Sequence, residues 1–435
     1  MTERLVFQTE YLNQYLELVE DTESPRLFHV WAAIANIAAC LGRRCWLPFG
    51  ETQIWPNHYV ILVGNPAVRK SSAMNVGKRL IQKSTKVRFA PSDTAGQRQG
   101  LISALRSEAP KVEAVNGVNV ASGDHSLVLT RELFEELDNT ESGPRAADAD
   151  RHTMMIAATE FTGLIGQNNQ GLLEFLAGLW DGDDIQYQLK NEIITVEDPL
   201  LNLIGCTTPT SISTAMPAAA VGQGFMSRVI LVYGNVKYKS VARPMPFDPA
   251  LQDVIRATLS RAYYDLSGEF SETPEALAYS KGLYEIPIDI ADSRFQYYAE
   301  RRYTHLLKLG MVLAASRGSM TITKGDYEEA NRILHATERG MPDALGQFGL
   351  SPIAVVKQGI LDFLRAAKQA VSADIIRATF HRDAKSRDIS EALSDLVIAG
   401  QVKVLSPNGG GLPLFAAVLR LDKVDSEIMD LLAES

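Results

Sequence analysis

Residues 58–72 read HYVILVGNPAVRKSS, and this stretch decides the fold class. Tyr59 to Val63 is a continuous apolar run, the pattern of a buried strand, and it ends at Gly64. Five residues lead from there to Lys70 and Ser71, and MNVGKRLIQK then carries helical spacing. Strand, glycine, Lys-Ser and helix in that order read as a phosphate loop. It comprises Gly64, Asn65, Pro66, Ala67, Val68, Arg69, Lys70, Ser71 and Ser72. Backbone N–H groups of such a turn and the helix N-terminus supply positive potential for a nucleotide's phosphates. In this reading Lys70 reaches the β/γ-phosphates of ATP, and the Ser71 hydroxyl holds Mg²⁺. Arg69 departs from the pattern, because it stands where a second glycine is expected, and Pro66 is the residue that would stiffen the turn instead. An ordinary strand–turn–helix corner that happens to contain Lys-Ser is the competing explanation.

The chain around this loop has 435 residues, 46% apolar and 22% charged, the balance of a globular protein with room for two or three domains. No run of eighteen apolar residues occurs; WAAIANIAACL, from Trp31 to Leu41, is too short to span a bilayer and reads as a core helix. The first residues, MTERLVFQTEY, lack a signal peptide's basic start and apolar core. Cys40, Cys45 and Cys206 show no paired metal spacing, and so sparse a count suits a reducing compartment. The expectation is a cytoplasmic protein without a membrane partner. A net charge of −9 does not advertise a nucleic-acid binder, although a ring can be acidic outside and basic in its channel.

Patterning divides the chain into four regions. Residues 1–50 read as helical, with a break near Ser24-Pro25. Residues 51–240 alternate buried strands (58–63, 86–90, 153–159, 200–206, 228–233) with helices (70–84, 94–107, 169–180, 209–220), the order of an α/β core. Residues 108–150 interrupt it as an insertion ending in a polar stretch. Residues 241–348 are helical, and 349–435 read as three short helices followed by a hairpin with a glycine-rich tip, a winged helix.

Other pieces of a nucleotide site lie in the same core. MMIAATEF is a second buried strand, and it ends in Glu160, placed to polarise an attacking water beside Mg²⁺. Thr159 stands where a preceding aspartate is usual, and its hydroxyl can hold a metal-bound water without adding charge. SLVLTRE is the rival strand end, with Glu132 in the same role, but Arg131 would then put a cation beside the metal. Thr207 and Thr208 close a third strand, either as polar sensors of the γ-phosphate or as caps of the next helix. Arg228 opens a fourth strand, either as a finger reaching a neighbouring subunit's nucleotide or as a surface ion pair. IQYQLKNEIITVED reads as a hairpin with Lys190 at its tip, a candidate phosphate-backbone contact to DNA or a plain solvated turn.

Together these elements resemble minichromosome-maintenance-type AAA+ helicases. GNPAVRKSS is similar to their phosphate loop, and TEF to their Asp-Glu-Phe, except for the missing aspartate. The hairpin, the Ser-Arg of GFMSRVI and a C-terminal winged helix occur in the same order. PNHYVILVGNPAVRKSS, EFTGLIGQNNQGLLEFLAGLWDGDD, LLNLIGCTTPTSI and GQGFMSRVILVYG resemble a family of phage and plasmid P-loop ATPases described as primase/helicase or replication proteins, over roughly residues 25–345. The resemblance implies an AAA+-type core with a helical lid. It also implies a homo-oligomeric ring, expected to be a hexamer, hydrolysing ATP with Mg²⁺ at subunit interfaces and moving on single-stranded or forked DNA. A second arginine in the lid is implied at Arg302, preferred over its neighbour Arg301. No primase-like acidic cluster or zinc ribbon is visible, so priming belongs to a separate primase or polymerase partner. Two other functions fit the same residues: an ATP-dependent initiator or helicase loader that binds DNA without unwinding it, and a packaging or defence ATPase with a protein partner.

Overall fold

Each residue of β3 (Tyr59–Val63) is buried, because helices cover both faces of the sheet it centres. The computed structural model describes residues 7–91, 98–106, 151–188, 193–216, 224–286, 290, 292–346, 352–367, 370–382, 384–405 and 413–417. Ahead of β3, β1 (Cys45–Phe49) and β2 (Thr52–Ile54) form an antiparallel hairpin. After it come β4 (Thr153–Ala158), the pair β5 (Ile185–Gln188) and β6 (Ile193–Val196), then β7 (Leu200–Thr207) and β8 (Val229–Tyr233). The central sheet is parallel, in the order β4-β7-β3-β8. This is an α/β architecture.

Side-chain alternation along β7 shows the layering. Cys206 meets Met74 of helix Lys70–Ser84, whereas a Cβ on Gly205 would lie 3.0 Å from Phe161 Cβ on the other face. Tyr59, on the Gly205 side, donates its hydroxyl to the Leu176 carbonyl of helix Gln170–Asp181. That helix is capped by Asn169, whose side chain accepts from Leu172 N, and it stops at Gly182, which is left-handed at φ 78°. Helix Arg26–Leu41 is almost wholly buried and packs against helix Lys70–Ser84 and β7.

Three expectations about elements need correction. The strand read at 86–90 is one parallel bridge, Phe89 to Met155, with the Arg88 guanidinium on the carbonyls of Arg151 and Ala104. The helix read at 94–107 is present over the described Arg98–Arg106, whereas that at 209–220 runs only Pro209–Ala215, where Met216 turns extended. The N-terminal segment is not purely helical: Cys45 and Leu47 alternate inward along β1, which also pairs with Gly268–Glu269. In the C-terminal part, helices Pro352–Ala367, Ala373–Phe380 and Ser386–Ile398 enclose their own apolar cluster. The antiparallel hairpin Val402–Leu405 with Leu414–Ala417 gains a third strand, Val371–Ser372, which two-residue length hid from pattern reading. The proposed 108–150 insertion, with Glu132, and the hairpin tip, with Lys190, lie outside the described residues.

Between Pro249 and Leu345 the described residues are mainly helical, over Pro249–Tyr264, Pro274–Tyr284, Gln296–Ser316, Lys324–Glu338 and Met341–Leu345, with two-residue strands between some of them. Among the described residues no helix is long and apolar enough to cross a membrane.

Candidate nucleotide site and the opposite sheet edge

The phosphate loop leaves the C-terminal end of β3 under tight steric control. A Cβ on Gly64 would fall 2.1 Å from the Gly234 carbonyl oxygen, so only glycine lets the chain after β8 pass this close. Two non-glycine residues in the loop have positive φ, Ala67 at 70° and Arg69 at 62°. Such a left-handed conformation costs an L-residue roughly 1 kcal/mol or more. The position expected to be glycine therefore does adopt glycine's conformation, with arginine in place. Neighbours hold it there. The Arg69 guanidinium donates to Glu23 at 2.6 Å, and its carbonyl accepts from the Ser24 hydroxyl at 2.8 Å. Arg69 and then Lys237 hold the Glu23 carboxyl down at about 2.

Lys70 begins the helix and folds back: its Nζ donates to the carbonyls of Gly64 and Asn65 at 2.7 and 2.9 Å. These are the bonds a phosphate's oxygens would replace. Burial lowers the Lys70 pKa, opposed by the nearby Cys206 and Glu160. Glu160 follows β4, two strands away from β3, yet it acts electrostatically on Lys70 across the end of β7. Its Oε1 accepts from the Thr162 hydroxyl at 2.6 Å and from the Thr207 hydroxyl at 3.3 Å. Thr208 does something different, accepting from Ser211 N at 3.0 Å as a helix cap. Thr207 thus faces the site, and Thr208 closes the helix.

The residues that would hold Mg²⁺ are the Ser71 hydroxyl in the helix's first turn and the exposed Thr159 and Glu160 at the end of β4. An all-oxygen set with few protein ligands suits Mg²⁺, which keeps several waters and takes substrate phosphates. Beside the loop, a cleft of about 690 Å³ runs along the face of helix Lys70–Ser84 that carries Ser72, Asn75 and Arg79. Its other wall carries Asp21, Glu23 and Phe247.

Arg228 stands at the other end of the sheet. It precedes β8, and Val229 pairs with Tyr59, the first residue of β3. A five-residue strand separates it from its own phosphate loop by roughly 15 Å. Its Nε and Nη2 donate to Asp181 Oδ2, and its Nη1 donates to the Gly224 carbonyl at 2.5 Å. Arg301 shares the same carboxylate, donating to Oδ1 at 3.3 Å. Both guanidinium groups flank the Trp180 ring, and Lys308 Nζ sits 3.9 Å from its centroid. Lys308 is buried and donates to Asn57 Oδ1 at 2.5 Å; burial pushes its pKa well down.

Arg302 does not share this arrangement. It is buried, with Nε on Glu338 at 2.5 Å and Nη2 on Asn331 at 2.8 Å, so its guanidinium is engaged within the helical segment. The arginine beside Arg228 is Arg301. Pattern reading also passed over Glu23, Thr162, Asp181 and Lys308. For Asp181 a signal existed, an apolar helix ending in Trp-Asp-Gly; for the others nothing local marks the contact.

A ring contact joins the two ends: Phe161, next to Glu160, stacks on Phe225, three residues before Arg228, with 3° between planes. No protein-family model matches the chain, and no curated protein matches it in sequence.

Proposed function

We propose that the chain is an AAA+-type P-loop ATPase that assembles as a ring, expected to be hexameric, and translocates on DNA as the helicase of a phage-like replication system. One observation carries this reading: Lys70 and Glu160 share the C-terminal edge of the sheet across Thr207, while Arg228 stands at the opposite edge. In the reaction Lys70 gives up its loop carbonyls and binds phosphate oxygens. Glu160, oriented by Thr162 and Thr207, positions the attacking water. Mg²⁺, when bound, neutralises charge developing on the phosphates. Arg228 is too far from its own loop to serve there, so a catalytic role requires a neighbouring subunit's nucleotide. The cleft beside helix Lys70–Ser84 takes the nucleoside. The C-terminal helices and hairpin, in the arrangement of a winged helix, contact DNA or a partner protein, and priming rests with another protein.

Lys70→Ala is expected to abolish ATP binding and hydrolysis, and Glu160→Gln to retain binding while stopping turnover. Subunit mixing tests the interface. Arg228→Ala and Lys70→Ala proteins, each inactive alone, should recover part of the ATPase when mixed; no recovery despite subunit exchange would remove the interfacial finger. Unwinding of a forked duplex separates this reading from the loader, which would show DNA-stimulated ATPase alone.

A further inference from the structure

Asp181 is the last residue of its helix, and two cations from distant parts of the chain converge on it. Arg228 takes Oδ2 through two nitrogens and Arg301 takes Oδ1. Lys308 lies against the Trp180 indole that both guanidinium groups flank. A cleft of about 250 Å³, lined by Glu174, Asp181, Asp183, Gly224 and Arg228, opens beside the pair. Gly224 lies against the folded-back guanidinium: a Cβ there would sit 2.7 Å from Nη1, so the tip of Arg228 would have to shift.

The residues just after Asp181 matter as much. Gly182 turns left-handed, and β5 starts at Ile185. The base of the β5–β6 hairpin is tied down on its far side, where Arg43 donates to the carbonyls of Gly182 and Pro199 and to Asp198. Asp181 and Arg43 therefore hold the two flanks of one short pivot.

We propose that Asp181 is a positioning residue, a latch that parks Arg228 within its own subunit until the terminal phosphate on a neighbouring subunit competes it away. Release of one guanidinium leaves Asp181 with Arg301 and shifts the pivot from which the hairpin springs. A polyphosphate carries more negative charge than one carboxylate and accepts the same bidentate fork, so the exchange is favourable. Hydrolysis reverses it, and the hairpin moves once per cycle. This inference rests on the ATPase reading above.

Two variants test it by independent routes: Asp181→Asn removes the anion, and Gly224→Ala crowds Nη1, the nitrogen bonded to the Gly224 carbonyl, without touching the carboxylate. With the latch open, ATPase in the absence of DNA should rise several-fold in both, and stimulation by DNA should disappear. A purely structural Asp181 would lower stability and rate together and would not raise the basal rate. Should Asp181→Asn fail to fold, Asp181→Ser, which also removes the anion, takes its place. Unchanged basal rate and stimulation, or a fall to the level of Arg228→Ala, would overturn the latch while the wild-type protein remains an ATPase. A wild-type protein without ATPase would overturn the parent reading and the latch with it.

Discussion

The two edges of the central sheet handle charge in opposite ways. At the C-terminal edge, Lys70 and Glu160 are partly or fully accessible, and the lysine donates to its own loop carbonyls. At the N-terminal edge, Lys308, His58 and His305 are buried, and two arginines share a single carboxylate at Asp181. The polar groups of the first edge face outward, where a ligand could reach them. The second holds most of its polar groups in place by packing, while Arg228 and Arg301 border solvent. The difference teaches that one sheet can present an accessible polar edge and a packed one, and under the proposed function these become a chemical end and a mechanical end.

The largest expected effect separates the two arginines that adjoin in sequence. Arg302→Ala strips the guanidinium from the buried Glu338, leaving it the Tyr298 hydroxyl and His335, and should cost about 3 kcal/mol in urea unfolding. Arg301→Ala, at a half-buried shared pair, should cost about 1 kcal/mol or less while lowering the ATPase. Equal destabilisation by the two would erase the distinction between a packed and a working cation.

Of comparable size is the response to acid. Burial lowers the His305 pKa to about 3, and the ring stays neutral with Nε2 donating to the Ser227 carbonyl. Burial lowers His58 as well. In this window the unfolded chain binds the extra proton, so stability falls as pH drops from about 6.5 toward 3. The slope is about 1.4 kcal/mol per pH unit for each such histidine. At the loop edge Glu23 acts in a lower window: its contribution is complete above 4.5 and is lost as pH falls through about 2. Urea midpoints measured from pH 7 to 3 should therefore decline first through the histidine edge, and His305→Gln should flatten that decline. A curve unaltered by His305→Gln would show that this edge does not exclude protons.

The smallest effect belongs to the loop itself. Arg69→Gly relieves a left-handed arginine but loses the Glu23 ion pair, and the two terms offset. A net change within about 1 kcal/mol in thermal unfolding is expected. Destabilisation of several kcal/mol would mean that the Glu23–Arg69 contact organises the loop edge far more than its exposure suggests.

Much of the chemical edge was legible because its signals are local. A glycine, a Lys-Ser and the strands YVILV, MMIAA and LLNLIGCT sit within a few residues of what they do. The partition between Thr207 and Thr208 was not, since both residues satisfy the same local pattern and only the strand's alternation sends one hydroxyl to Glu160. Arg302 was preferred over Arg301 on helical spacing, which cannot tell which of two adjacent residues meets Glu338 and which meets Asp181.

The strand, turn and helix at residues 58–72 were determined by the sequence alone, through an apolar run that must be buried and the helical spacing that follows it. Only tertiary structure decided that β7 lies between β3 and β4, bringing Glu160 toward Lys70. It alone gathered Asn57, Trp180, Asp181, Arg228, Arg301 and Lys308 at one edge. The physical reason is range. Strand and helix propensities act over a few residues, whereas these contacts join positions up to 251 residues apart and exist only once the sheet has closed.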